Sequence, residues 1–414
     1  MKKQLEQKNK AYKFRLYPNK NQQMLLVKTF GCVRFIYNRM LSDKIAHYEK
    51  TGKDLYCYPS QYKQEYPWLK EVDSLALVGA QNNLKAAYNN FFRDKNVGFP
   101  KFKSKHSGHQ SYTTNRVNAN IALGEEGLKL PKLGWVKIRK HRGVPDGYLL
   151  KSVTISRTPT GKYFASILYE YDSYIETVEP KDCEGFLGLD FSMKELYVDD
   201  NGFVPEYPHP YRESQKKLAR EQRKLAHRQK GGTNREKQRI KVARLHEHTA
   251  NQRKDFLHKQ SRKIANSYDA VCIEDLNMKA MSQALNFGKS VSDNGWGMFT
   301  GMLAYKLSDQ GKHLVKVGKI FPSSKMCSHC GRVKSELHLS ERTYKCECGF
   351  ACDRDRNAAI NIRNEGRRIL CGESHKDNRY SKTKNRGTHG DSSVNILPLG
   401  RTSQEAPASS TVRW

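Results

Sequence analysis

Two short runs of this chain stay apolar until their last residue, and that residue is an acid. Gly185-Phe-Leu-Gly-Leu-Asp190 and Ala270-Val-Cys-Ile-Glu274 are both of this kind. Short continuous apolar runs with turn signals around them suit strands covered on both faces. A carboxylate at the edge of such a strand is costly unless something compensates it. A third acid, Asp355, lies near the start of a segment with helical spacing, from Asp353 to Asn364. Ala358, Ala359 and Ile362 follow it at i+3, i+4 and i+7, so Asp355 shares their inward face. If the strands are neighbours and the helix packs across them, three carboxylates converge. That arrangement holds two Mg²⁺ roughly 3.5–4 Å apart, one activating a water and one stabilising the leaving oxygen of a phosphodiester. Taken singly, each acid is a strand-end turn residue or a helix cap; the order strand, strand, helix is what favours a site. Asp353 competes with Asp355 and is expected as its outer, N-terminal neighbour. Asp275 is expected on the opposite face of the strand from Glu274.

The charge balance agrees with a phosphate-bearing partner. Lys plus Arg number 74 against 42 Asp plus Glu, a formal charge of +32 over 414 residues. Such an excess repels itself unless a polyanion supplies the missing charge. A basic ribosomal or membrane-surface protein is the bland alternative, but no segment has the pattern of a basic amphipathic anchor. The charged stretch Met1 to Lys10 has no apolar core of a signal peptide, and no stretch approaches the ~20 apolar residues of a membrane span. The expected place of work is a reducing cytoplasm, at the nucleoid of a prokaryote, with no membrane partner.

Ten cysteines are present, four of them between Cys327 and Cys348. Cys327-Ser-His-Cys330-Gly and Cys346-Glu-Cys348-Gly, 15 residues apart, are paired knuckles suited to one tetrahedral, structural Zn²⁺. The glycine after each pair lets backbone amides turn towards sulfur. The second pair is one residue short of the usual spacing, which leaves Cys352 or His329 open as a substitute ligand.

Elsewhere, Ala11 to Tyr17 alternates as a strand, and residues from Asn21 to about Tyr48 take helical spacing. A second helix follows Asp73. Aromatic and basic residues interleave in the loop Gly98 to Lys105, and short strands between Tyr112 and Tyr171 suggest a small barrel. Residues 213–267 form two charged helices broken at Gly231-Gly232, either a solvated arm or a track for phosphate backbone. Further segments are a helix from Trp296 to Leu307 and a strand from Leu314 to Ile320. From Cys371 onward the chain is aperiodic and polar, with the composition of a disordered tail.

These residues resemble a known family. Gly-Leu-Asp190-Phe, Ile-Glu274-Asp-Leu-Asn and Asp353-Arg-Asp-Arg-Asn-Ala-Ala-Ile-Asn-Ile362 look like the three RuvC motifs of TnpB, the transposon-encoded relatives of type V CRISPR effectors. Tyr12-Lys-Phe-Arg-Leu-Tyr-Pro18, Phe30-Gly-Cys-Val-Arg-Phe-Ile-Tyr-Asn38, Gly98-Phe-Pro-Lys-Phe-Lys-Ser104 and Phe321-Pro-Ser-Ser-Lys-Met-Cys-Ser-His-Cys330 are similar too.

The resemblance implies a multidomain α+β protein. An RNase H-like (RuvC) α/β domain, 181–320 and 353–370, would carry a zinc ribbon insert, 321–352. An N-terminal small β-barrel (wedge) domain, 1–20 and 106–180, would carry a helical recognition insert, 21–105, and 371–414 would be the tail. It further implies an RNA-guided DNA endonuclease with a guide RNA from the transposon end and double-stranded target DNA beside a short adjacent motif. Asp190, Glu274 and Asp355 would be the catalytic acids holding two Mg²⁺, and Cys327, Cys330, Cys346 and Cys348 the ligands of one Zn²⁺. Nucleic-acid contacts are expected from Arg93, Lys101, Lys103, Gln110, Tyr112, Thr113 and Asn115. A transposase acting directly on transposon ends, a miniature type V CRISPR effector and a non-catalytic RNA-guided binding protein are the alternatives. The intact triad disfavours the last.

Overall fold

The computed structural model describes residues 6–105, 110–278, 280–281, 293–338 and 340–372. The expected tail lies, beyond residue 372, outside the described residues. The chain divides into two compact units between Ser173 and Tyr174. Among the described residues no helix is long and apolar enough to cross a membrane.

The N-terminal unit is an antiparallel sheet with two helices. Its strands are β1 (Glu6–Tyr17), β2 (Gln110–Asn115), β3 (Ala122–Leu123), β4 (Leu128–Leu130), β5 (Gly134–Arg139), β6 (Leu149–Arg157) and β7 (Tyr163–Ser173), in the order β2-β6-β7-β1-β5-β4-β3. No pairing among the described residues joins β2 to β3, so the ladder is open at both ends. β1 starts before Ala11 because β7 pairs with it from Glu6 to Leu16. Pro18, lacking an N–H, ends it. Helix α1 (Lys20–Thr51) opens on a capping box between Asn19 and Gln22 and stops at Gly52 in the left-handed region. Helix α2 (Ser74–Arg93) is capped by the Asp73 carboxylate on the Leu75 amide. The buried faces of both helices, among them Phe30, Ile36, Leu77 and Leu84, share one core with Phe14, Tyr112, Val153 and Ile167 of the sheet.

The C-terminal unit is built on β8 (Phe186–Ser192), β9 (Leu196–Asp199), β10 (Ala270–Glu274) and β11 (His313–Val317), in the order β11-β10-β8-β9. The first three are mutually parallel, and β9 returns antiparallel beside β8. Strand β8 runs two residues past Asp190, because its ladder with β9 extends to Ser192 while that with β10 stops at Leu189. Strand β11 stops at Val317, short of Ile320, with Gly318 next in the chain.

Alternation sends Leu187, Leu189, Val271 and Ile273 to one face. There they meet helices α4 (Thr233–Ser267) and α5 (Trp296–Ser308) through Leu257, Ile264, Phe299 and Leu303. Helix α3 (Pro210–Ala226) pairs with α4, and the buried Gln238 amide donates to the Glu221 carboxylate at 2.8 Å. The C-terminal turns of α4 are therefore core rather than a free arm.

The opposite face is covered by α6 (Arg354–Cys371), which continues past Asn364 to a left-handed cap at Gly372. Its Ile362 and Leu370 pack on Ala270, Cys272, Val315 and Val317. Glycine is required on both sides of this crossing. A Cβ on Gly188 would overlap the Ala359 carbonyl and come within 2.8 Å of the Arg363 Cβ, and one on Gly366 would come within 2.6 Å of the Cys272 Cβ. We predict that Gly188→Ala costs about 1–3 kcal/mol of stability in a urea melt, because rigid backbone must move to relieve the overlap. A melt unchanged from wild type would mean that α6 does not lie this close to the sheet.

Candidate metal centres

The three acids come from three elements that meet on one face. Asp190 and Glu274 have the same parity as Gly188 and Cys272, the residues against which α6 packs. Asp355 is in the first turn of α6. Burial is the main cause that raises the Asp190 carboxyl well above the usual carboxylate range, and the charges of Glu274 and Asp355 push it further. Asp355 is also raised, first by burial and then by Asp353, with Arg342 and Arg354 opposing. Arg342 Nη1 is 4.0 Å from the Asp355 carboxylate.

Asp353 is taken up elsewhere. Its Oδ1 accepts from the amides of Asp355 at 2.9 Å and Arg356 at 3.0 Å, the N-cap of α6. The half-buried Asp355 side chain takes no part in that cap. Asp275, beyond the end of β10, pairs with Lys316 at 3.2 Å and Lys319 at 3.7 Å. Lys316 is level with Ile273, on the α4–α5 face, so the expectation of opposite directions holds.

The four cysteines gather, with all ligand atoms within 4.8 Å of one another. Cys327 and Cys348 sulfurs are 3.8 Å apart, and Cys330 and Cys346 sulfurs 3.6 Å. The second knuckle sits at the tip of the hairpin β12 (Thr343–Lys345) and β13 (Ala351–Asp353). Gly331 (φ 74°) and Gly349 (φ 87°) are left-handed and return their amides to Cys327 O and Cys346 O. The short Cys346-Glu-Cys348 spacing still closes the set. Cys352 Sγ donates to its neighbour Asp353 O, and the His329 ring stacks on Phe350, so neither joins the cluster. Four thiolates in a closed tetrahedral set are the donors of structural zinc.

Two residues that sequence reasoning passed over tie these centres together. Asn357 and Asn361, one turn apart on α6, are 0% and 1% exposed. Ser323, also buried, donates its hydroxyl to the Glu274 carboxylate. The asparagines were visible in sequence only as polar residues spaced i, i+4 on an otherwise apolar face.

The expected nucleic-acid contacts are uneven. Arg93 and Lys101 are exposed, and Arg93 donates to Asn90 Oδ1 at 3.0 Å. The Lys103 ammonium lies 4.0 Å from the centre of the Tyr37 ring. Gln110 and Thr113 are half-buried, with the Thr113 hydroxyl bonded to that of Thr154 at 2.8 Å, and Asn115 is exposed. Tyr112 does not reach the surface. It is 4% exposed and packs on Phe30, because alternation along β2 points it into the core. Phe92, beside Tyr88 and Phe91, is exposed, as are Phe99 and Phe102 in the following loop.

Residues 166–285 match a family described as a probable transposase of the OrfB_IS605 type, and residues 296–362 match the Cas12f1-like TNB domain. Residues 8–53 match a helix-turn-helix domain, although here they form β1 and the single helix α1. A putative RNA-guided DNA endonuclease of Streptomyces pristinaespiralis is 34% identical over 394 residues, covering 93% of this chain and 96% of that protein. The putative RNA-guided DNA endonuclease InsQ of Escherichia coli (strain K12) is 32% identical over 390 residues, covering 88% and 94%. In fold, a Cas12f1 chain from a complex with sgRNA and target DNA superposes with a TM-score of 0.53 at 14% identity, over 86% of this chain and 99% of that one. The motifs anticipated from sequence and the full-length similarity to InsQ and its Streptomyces counterpart agree: the chain belongs to the TnpB family.

Proposed function

We propose that this protein is a transposon-encoded, RNA-guided DNA endonuclease that hydrolyses phosphodiesters at Asp190, Glu274 and Asp355. What supports the proposal is the placement of Asp190 and Glu274 on adjacent parallel strands, β8 and β10, on the face against which α6, with Asp355 in its first turn, packs. Three parallel strands with one antiparallel neighbour, crossed by a C-terminal helix, suit an RNase H-like (RuvC) domain with the cysteine hairpin as its zinc ribbon. The N-terminal sheet with α1 and α2 suits the wedge and its recognition insert.

The donor sets fit the ions. Carboxylate oxygens suit Mg²⁺, and four thiolates suit Zn²⁺. Divalent cations at the acid site supply charge neutralisation and an acidified water for in-line displacement. The chain's part is to hold the three carboxylates in fixed mutual geometry, through the ladder of β8 with β10 and the close approach of α6 at Gly188. A formal charge of +32 suits a protein that grips nucleic-acid backbone while base pairing reads the sequence.

The test is to purify the protein from cells carrying its native locus, sequence the bound RNA and challenge the complex with DNA. One RNA species from the transposon end should co-purify, and only DNA complementary to its guide, beside the right adjacent motif, should be cut. Equal cutting of matched and scrambled DNA, or action on transposon ends without RNA, would turn the reading towards a transposase.

A further inference from the structure

The segment from Ser323 to Ser328 joins the Glu274 side chain to the first thiol of the cysteine cluster, and side chains of α6 bond to it along the way. At its start, the buried Ser323 hydroxyl donates to Glu274 Oε1. Close to its end stands Cys327, the first thiol of the cluster. Between them, Asn361 Nδ2 donates to Ser323 O at 2.8 Å and to Met326 O at 2.7 Å. Asn357 Nδ2 donates to the same Met326 O at 2.7 Å, while Asn357 Oδ1 accepts from the Ser328 amide at 3.0 Å. Asn357 stands two residues after Asp355 on the same helix.

An amide side chain with almost no exposure is costly unless its hydrogen bonds are met. Asn361 spends both amide protons, and Asn357 uses its carbonyl and one proton, on this single stretch of backbone. Neither contact contributes to the helix itself. The pair therefore clamps the segment to the helix that carries Asp355, and the segment in turn hands Ser323 to Glu274.

We propose that Ser323 is a positioning residue for the Glu274 carboxylate, and that Asn357 and Asn361 hold it in place from the Asp355 helix. Two acids from separate elements are thereby set at a fixed spacing by hydrogen bonds outside the sheet. The proposal rests on Glu274 being a metal-holding acid. A hydrogen-bonded partner behind a ligating carboxylate orients it, and losing such a partner weakens metal binding by about 10–100-fold.

The test is a titration of the purified, zinc-loaded protein with Mn²⁺, followed by electron paramagnetic resonance of the free ion, without nucleic acid. Ser323→Ala should raise the dissociation constant by about tenfold or more, with the thermal melt of the zinc-loaded, Mn²⁺-free protein close to that of wild type. Ser323→Thr, which keeps the hydroxyl, should restore it. Asn361→Ala should shift binding the same way, and the double variant Ser323→Ala/Asn361→Ala should bind no more weakly than the worse of the two. Wild-type Mn²⁺ affinity in Ser323→Ala would overturn the positioning role, and additive losses in the double variant would overturn the clamp. Glu274→Ala serves as the control. If it too binds Mn²⁺ as wild type does, the acid site itself has been misassigned, a failure distinct from that of Ser323.

Discussion

Asp190→Ala is expected to lower DNA cleavage by about three orders of magnitude or more, while RNA and target DNA binding stay nearly unchanged. The size follows from the several kcal/mol that metal-assisted charge neutralisation contributes at the transition state. The separation of cutting from binding follows from location. Asp190 lies on β8 under α6, remote in sequence from the exposed basic residues Arg93 and Lys101. Stability should move the other way. Burial together with the charges of Glu274 and Asp355 disfavours the ionised Asp190 carboxylate, so an alanine there relieves repulsion when no cation is bound. The metal-free variant should therefore melt no lower than wild type, and it should lose most of the increase in melting temperature that Mg²⁺ gives the wild type. Cleavage above background in the variant would remove Asp190 from the acid set.

Cys330→Ser is expected to reduce bound zinc from one ion to none by native mass spectrometry and to open the hairpin region to hydrogen exchange. Apparent zinc-binding free energies in small thiolate sites run to about 10–16 kcal/mol, far beyond what the short strands β12 and β13 could replace. Tyr344 is fully buried, but the hairpin pairs over only three residues a side. Loss of protection should extend through residues 323–328 into the first turns of α6, because Asn357 and Asn361 bond that backbone. The N-terminal unit, with its own core, should keep its protection. A wild-type protein that holds no zinc, or a variant whose hairpin stays protected, would show that the four thiols do not form a structural metal site.

Much of the site was legible because its signals are local. The parity of Asp190 and Glu274 is fixed by the strands that hold them, and the inward face of Asp355 by the helical repeat of Ala358 and Ile362. The knuckles were legible for the same reason, since Gly331 and Gly349 follow their cysteines directly. Other expectations depended on partners far away in sequence. Tyr112 was expected among the nucleic-acid contacts, yet β2 turns it onto Phe30. The reach of β1 was set by β7, that of β8 by β9, and the full length of α6 by the sheet beneath it.

The sequence by itself determined the residue types, their spacing and the charge: three acids, four thiols, a basic excess and the family these imply. The tertiary structure alone decided which partner each side chain meets. Asp353 became the cap of α6, Cys352 and His329 stood aside from the four thiols, and Ser323 reached Glu274 from 49 residues away. The physical reason is range. Periodicity and turn chemistry act over a few residues, whereas the hydrogen bonds that orient a carboxylate form wherever packing brings a donor to it.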